Sequence, residues 1–202
     1  VSSLQAGRPT AKPDLWRPVL WRALIALAFG LLTVFWPDIS PLFRAIAVGV
    51  YFLGSAAAVL SLLLLVRAGL PAAHRWLWLE LLVFAIAGIA LFFLQDNRAF
   101  AWSAAVALFV TGMIELVLGF RYRLQTVLGR DWLITGAIAL LAAVLLVSLA
   151  GTSARAPIGV LGGSAVIIGV VAVLAALSYR HEAGLKPGTE DAGQNPSLRG
   201  VE

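Results

Sequence analysis

The chain contains no cysteine. Disulfide bridges, thiolate metal sites and thiol nucleophiles are therefore excluded. Charge is also scarce. Only 12% of the 202 residues are Asp, Glu, Lys or Arg, against about 25% in a soluble domain. That is too little to cover a water-facing surface, so a soluble globular protein is excluded as well. There are two histidines, His74 and His181. Neither has a second histidine or a carboxylate at ligand spacing, so no zinc motif forms. Both read as solvated loop residues, with pH sensing by His74 as the functional alternative, because imidazole titrates near neutrality. No phosphate-binding glycine loop and no nucleophile elbow occurs. Serines within the apolar runs, such as Ser55 and Ser61, suit hydrogen bonding between helices better than nucleophilic attack. The sequence thus offers no catalytic residue, no metal ligand set and no cofactor site.

What the chain has in excess is apolar surface: 61% of its residues are hydrophobic, and they are clustered. Six runs can each cross a hydrocarbon core of about 30 Å as helix, at about 1.5 Å per residue. They fall at about Leu20–Phe35, Leu42–Val66, Trp76–Leu94, Ala99–Phe120, Trp132–Ala150 and Pro157–Ser178. The first is short, and Trp16 to Arg22 extends it by a turn at the interface. Backbone amides in lipid must pair internally, and these runs are too long and unbroken for barrel strands. The fold class is therefore an all-α integral membrane protein with six transmembrane helices. Its membrane domain spans residues 17–180, between expected disordered tails at 1–16 and 181–202, both polar and rich in Gly, Pro and Ser. The first apolar run is long and lacks a small-residue cleavage site, so it does not read as a cleaved signal.

Of the 15 basic residues, twelve lie at or before the start of the first run, between runs two and three, between runs four and five, or after run six. The remaining three are Arg44, Arg98 and Arg155. Basic connections stay in the cytoplasm, which predicts both termini inside a bacterial cytoplasmic membrane. It also accounts for the net charge of +5 without nucleic acid, leaving the lipid bilayer as the expected partner. On this topology "WPDISP" (36–41) is an outer turn. Trp36 suits the membrane–water interface, Pro37 ends the helix, and Pro41 suits the first turn of the next.

The chain also repeats itself. Ala23–Phe35 aligns with Leu81–Phe93, placing Gly30 on Gly88. Tyr51–Leu60 aligns with Phe109–Leu118, and more weakly with Val166–Leu174, placing Gly54, Gly112 and Gly169 together. Trp78 and Trp132 begin the third and fifth spans alike. The expected unit is a helical hairpin used three times in parallel, at about 20–66, 76–120 and 132–178. Its glycines would let helix backbones approach closely. Gly159 and Gly163 form a small-xxx-small pair, a candidate homo-oligomer face. The unit (Trp21-Arg22, a span centred on Gly30, the turn Trp36-Pro37, then Tyr51 and Gly54) resembles the HdeD-type bacterial membrane proteins over about residues 17–178. The Trp-Pro turn occurs once; the later turns read "LQDNR" and "SLAGTSARAP". The resemblance implies a six-span inner-membrane protein of acid resistance and stress response, with no catalytic residues to carry over.

Arg22, Glu80 and Glu115 stand inside the apolar runs. Glu115 shares a helix face with Leu108, Gly112 and Gly119, a small-residue stripe that should face another helix. A carboxylate deep in a bilayer costs about 2.5–3.5 kcal/mol on insertion scales, so it needs a partner or a proton. Glu80 is the repeat equivalent of Arg22, and this exchange of sign predicts pairing between hairpins. The expected result is a polar cluster near the cytoplasmic mouth. Burial favours a neutral carboxyl and a guanidinium favours an ionised one, so their balance would let such a cluster sense or relay protons. The structural alternative is an interfacial ion pair with one snorkelling glutamate. The outer halves of the spans read as free of buried acids or bases, which disfavours a proton wire within one chain. The expected function is a non-enzymatic multi-pass stress-response protein. The alternative is a small proton- or solute-conducting transporter or channel, whose substrate leaves no signature. A lipid-modifying enzyme lacks a nucleophile–base set.

Overall fold

A computed structural model describes residues 15–36, 40–66, 71–153 and 155–184. They form six helices: α1 (Trp16–Phe35), α2 (Pro41–Val66), α3 (Pro71–Phe93), α4 (Asn97–Tyr122), α5 (Leu128–Leu149) and α6 (Arg155–Gly184). All six are long and apolar enough to cross a membrane, as the apolar runs predict. The chain is an all-helical protein that fits a multi-pass membrane architecture. α3 starts five residues before its expected apolar start, and α6 runs past residue 180 to Gly184. The hydrophobic run marks the lipid-crossing part of a helix, and backbone hydrogen bonding continues beyond it. Pro37 of the expected outer turn and both expected tails, except Leu15, Trp16 and residues 181–184, lie outside the described residues.

The helix starts follow local chemistry. Pro41 opens α2, where its missing N–H costs nothing, and Ser40 Oγ accepts the Phe43 amide at 3.1 Å. Asp96 caps α4 by accepting the Ala99 amide at 2.7 Å, satisfying one of the free donors of the first turn. Trp36 stacks on Phe43, with ring centroids 4.8 Å apart, and closes the α1–α2 connection.

The helices form a closed ring in chain order, α6 returning to α1. Tight and loose seams alternate. The pairs α1–α6, α2–α3 and α4–α5 are tight; α1–α2, α3–α4 and α5–α6 are loose. Helices close together in sequence within an expected hairpin are thus the looser neighbours. Each tight seam has a glycine facing a glycine: Gly30 to Gly162, Gly49 to Gly88, and Gly112 to Gly136. At the last, a Cβ on Gly112 would lie 3.0 Å from the Gly136 carbonyl oxygen, and one on Gly136 2.8 Å from that of Gly112. Only backbones without side chains approach so closely. Gly169 meets Leu27 across the α1–α6 seam, whereas Gly54 meets Ile25 across the loose α1–α2 seam. The three glycines aligned in sequence therefore do not share one seam type. Gly159 and Gly163 face outward with nothing within 4 Å and pack no helix of this chain.

Small side chains fill the inside, including Ala45, Ala56, Ala104 and Ala143, while Ile86, Phe109, Phe120, Leu141 and Leu174 point out. In water that belt would aggregate; in a bilayer it is the lipid face. One end of the ring carries exposed Arg17, Arg75, Arg121, Arg123, Arg130 and Arg180 and is called the basic end below.

Candidate functional site

Arg22 on α1 and Glu115 on α4 form an ion pair, a guanidinium nitrogen donating to Glu115 Oε1. These helices share no substantial seam and stand across the ring from each other. The bond therefore crosses the centre of the bundle. The Glu115 side chain is 2% exposed and that of Arg22 19%.

Glu80, on α3, is fully buried. Glu115 and Arg22 act on it electrostatically, so all three predicted charges meet in one cluster. The Glu80 and Glu115 carboxyls lie within hydrogen-bonding reach of each other, and both Glu80 oxygens and Glu115 Oε2 have no other partner. Both glutamates are buried inside the bundle and neither side chain reaches its surface. The cluster lies away from the helix ends. Glu80 is about 13 Å along α3 from Pro71, and Glu115 about 10 Å from the end of α4 at Tyr122. These helices extend beyond their apolar runs, so a charge near the edge of a run lies well inside a helix.

Three further groups complete the polar core. Tyr51 of α2 faces Arg22 and Glu115. Toward the basic end, the hydroxyl of Tyr179 on α6 donates to Asp131 Oδ2 on α5, and Asp131 in turn lies within the field of Arg22 and Arg130. Each helix thus contributes one titratable side chain: Arg22, Tyr51, Glu80, Glu115, Asp131 and Tyr179. Tyr51, Asp131 and Tyr179 have no role in the charge pattern of the sequence. What marks them is position, one per helix in the middle or the basic half of a span.

A cavity of about 40 Å³ lies beside this core, with Arg22, Asp131 and Thr135 on its wall. On the other side the interior turns aromatic. Phe29 stacks on Tyr51 at 4.4 Å, Tyr51 packs on Phe52 at 5.7 Å, and Phe52 meets Phe84 edge-on at 5.6 Å.

The half away from the basic end is not free of buried charge, contrary to the sequence reading. Arg44 is 1% exposed near the start of α2. Its guanidinium donates to Asn97 Oδ1 and, at 2.9 Å, to the Gln95 carbonyl, and lies 4.4 Å over the Phe100 ring. It clamps the α3–α4 turn instead of lying in a solvated loop. Among the histidines, His74 packs edge-on against Trp78 at 6.4 Å and His181 is exposed. No family model, curated protein or solved structure matches the chain.

Proposed function

We infer that the chain is a non-enzymatic multi-pass protein of a bacterial cytoplasmic membrane that acts in acid stress, like the HdeD-type proteins its motifs resemble, and that Arg22, Glu80 and Glu115 are its proton-binding site. One observation carries this reading. Two carboxyl groups and one guanidinium are buried together at the centre of the bundle. With both carboxyls ionised, one net negative charge would stand in a dry interior at a cost of several kcal/mol. A single proton shared by the two carboxyls removes it. The unpartnered oxygens of Glu80 and Glu115 are where that proton is held.

The architecture we propose is three tandem parallel hairpins with both termini in the cytoplasm. The threefold alternation of seams, with a glycine crossing at each tight one, supports the repeat. The arginine-rich end supports the orientation. Gly159 and Gly163 leave an open, small-residue face for a homo-oligomer.

The test is acid survival of a strain lacking the gene, complemented with wild type or Glu115→Gln. Wild type restores survival and Glu115→Gln does not. Equal rescue by the variant rejects the cluster as the working site. The cavity beside Arg22 favours conduction as a second reading, and the aromatic stack of Phe29, Tyr51, Phe52 and Phe84 opposes it. Flux in proteoliposomes under a pH gradient, lost in Glu115→Gln, would establish conduction.

A further inference from the structure

The cavity walled by Val19, Arg22, Ala58, Asp131, Thr135 and Ala172 is, we propose, a water-filled vestibule that connects the Glu115–Glu80 carboxyls to the basic side of the membrane and to that side alone. This rests on the proton-binding reading above and adds the route and its direction.

The argument begins with volume. A buried water needs about 10–15 Å³ of accessible space and two to four polar partners. The cavity offers about 40 Å³, room for roughly three waters. Polar partners are present. Arg22 has five N–H donors, and its bond to Glu115 uses one. Asp131 and Thr135 add oxygen atoms on the opposite wall. Thr135 Oγ1 donates to the Asp131 carbonyl at 3.0 Å, which leaves its lone pairs for water. A dry cavity of this kind would leave guanidinium donors unmet; an apolar one would stay empty.

The direction follows from which residues lie at each end. The wall extends to Pro18, in the first turn of α1, and to Leu128, the first residue of α5, both at the basic end. Asp131 stands there, bonded to Tyr179 and flanked by Arg130. At the inner end stands Arg22, whose charge is matched by Glu115 and so does not repel an arriving proton. Beyond it are Glu115, Glu80 and Tyr51, then the packed rings of Phe29, Phe52 and Phe84. A proton thus moves along water from the Asp131 end to Arg22. Glu115 and Glu80 stand behind that side chain and do not line the cavity, so the proton reaches Glu115 Oε2 when Arg22 swings aside, is shared with Glu80, and leaves by the same path. No bond other than O–H is made or broken, and no co-reactant is needed.

Two measurements on the full chain in oriented proteoliposomes test this. The chain has no cysteine, so a single introduced thiol is the only one. Ala58→Cys, on the cavity wall, is expected to react with a small impermeant thiol reagent supplied on the basic side and not from the other. Ala104→Cys, buried in the other half of α4, is expected to react from neither. In parallel, the infrared carboxyl band that Glu115→Gln or Glu80→Gln abolishes should follow a pH jump on the basic side only. Filling the cavity with Ala172→Phe, or separately Val171→Phe, should slow that response roughly tenfold or more. Labelling of Ala58→Cys from the opposite side, a band that follows pH from both sides, or filled variants that respond at the wild-type rate would each overturn the vestibule. A labelled Ala58→Cys with no titrating band would reject the proton site itself and, with it, the route.

Discussion

Removing either partner of the central ion pair should cost more than its share of a double replacement. At an effective dielectric of about 20, unit charges about 4 Å apart attract by about 4 kcal/mol. The pair joins α1 to α4 across the ring, where the Glu115 side chain is only 2% exposed, so solvent screens little of this. Desolvation of the two ions offsets part of it. Removing Arg22 leaves Glu115 buried without its counter-ion, and removing Glu115 leaves Arg22 with Glu80 alone, to which it makes no hydrogen bond; each costs about 3–5 kcal/mol. Glu115→Leu and Arg22→Leu should each destabilise by that amount, lowering the midpoint roughly 6–20 °C for a chain of this size. The double variant should lose no more than either single, giving a coupling of about 3–5 kcal/mol, the size of one single loss. Glu80→Gln is expected to be neutral or stabilising, because the Glu80 oxygens accept no hydrogen bond that the substitution would break and an amide carries no charge to desolvate. Reversible unfolding in mixed micelles measures all four. Single effects that sum to the double within about 0.5 kcal/mol would show that the pair does not hold α1 to α4, and the reasoning would fail.

Three further predictions rest on other parts of the bundle. Gly112→Leu should overpack the α4–α5 seam, where a Cβ already meets the Gly136 carbonyl at 3.0 Å, at about 1–3 kcal/mol or more, while Gly159→Leu, pointing into open space, should leave the unfolding midpoint unchanged. If Gly159→Leu instead lowers the mass found by light scattering, that face joins copies of the chain. Arg44→Lys should fail to rescue the loss caused by Arg44→Leu in a melt. A compact ammonium cannot both fork to Asn97 and the Gln95 carbonyl and lie flat on Phe100. Tyr179→Phe should cost about 1.5–3 kcal/mol, the range for a hydrogen bond to a charged group, and should speed amide exchange at the basic ends of α5 and α6, the helices it joins; unchanged exchange there would remove Tyr179 from the fastening of that seam.

The six spans were legible because length and apolarity alone define a membrane helix, and helical hydrogen bonding needs no tertiary partner. Their exact starts were less so, since Pro71 and Arg155 begin helices outside the apolar runs. Arg22, Glu80 and Glu115 stood out because a charge within an apolar run is costly, and their exchange of sign pointed to a pair. The sequence did not say which two would bond; the partner of Arg22 is Glu115, across the ring, and not its repeat counterpart. Asp131 and Tyr179 were hidden because an acid or a phenol near a helix end is ordinary at an interface. Arg44 was hidden because the orientation rule assigns arginines to loops and cannot see a turn folding back over one. The alternation of seams was not legible either. Which helices sit closest depends on how glycines from distant segments face each other.

The distribution of unmet polar atoms separates the two jobs a buried cluster can do. A cluster kept for stability should be fully hydrogen-bonded, because each unmet group in a dry interior costs about 1–3 kcal/mol. Among the described residues, five buried side-chain atoms lack a partner, and three of them belong to Glu80 and Glu115. Meanwhile the ring is closed by the glycine crossings and small residues of the three tight seams, none of which needs the carboxyls. Without a proton between the two carboxyls the cluster is a cost to the fold; with one it is not. The fold places the cluster beside a cavity with room for water and stacks aromatic rings of α1, α2 and α3 on the side away from the basic end. A second carboxyl beside an already satisfied ion pair adds nothing to packing that a leucine would not supply better; what it adds is a place for a proton.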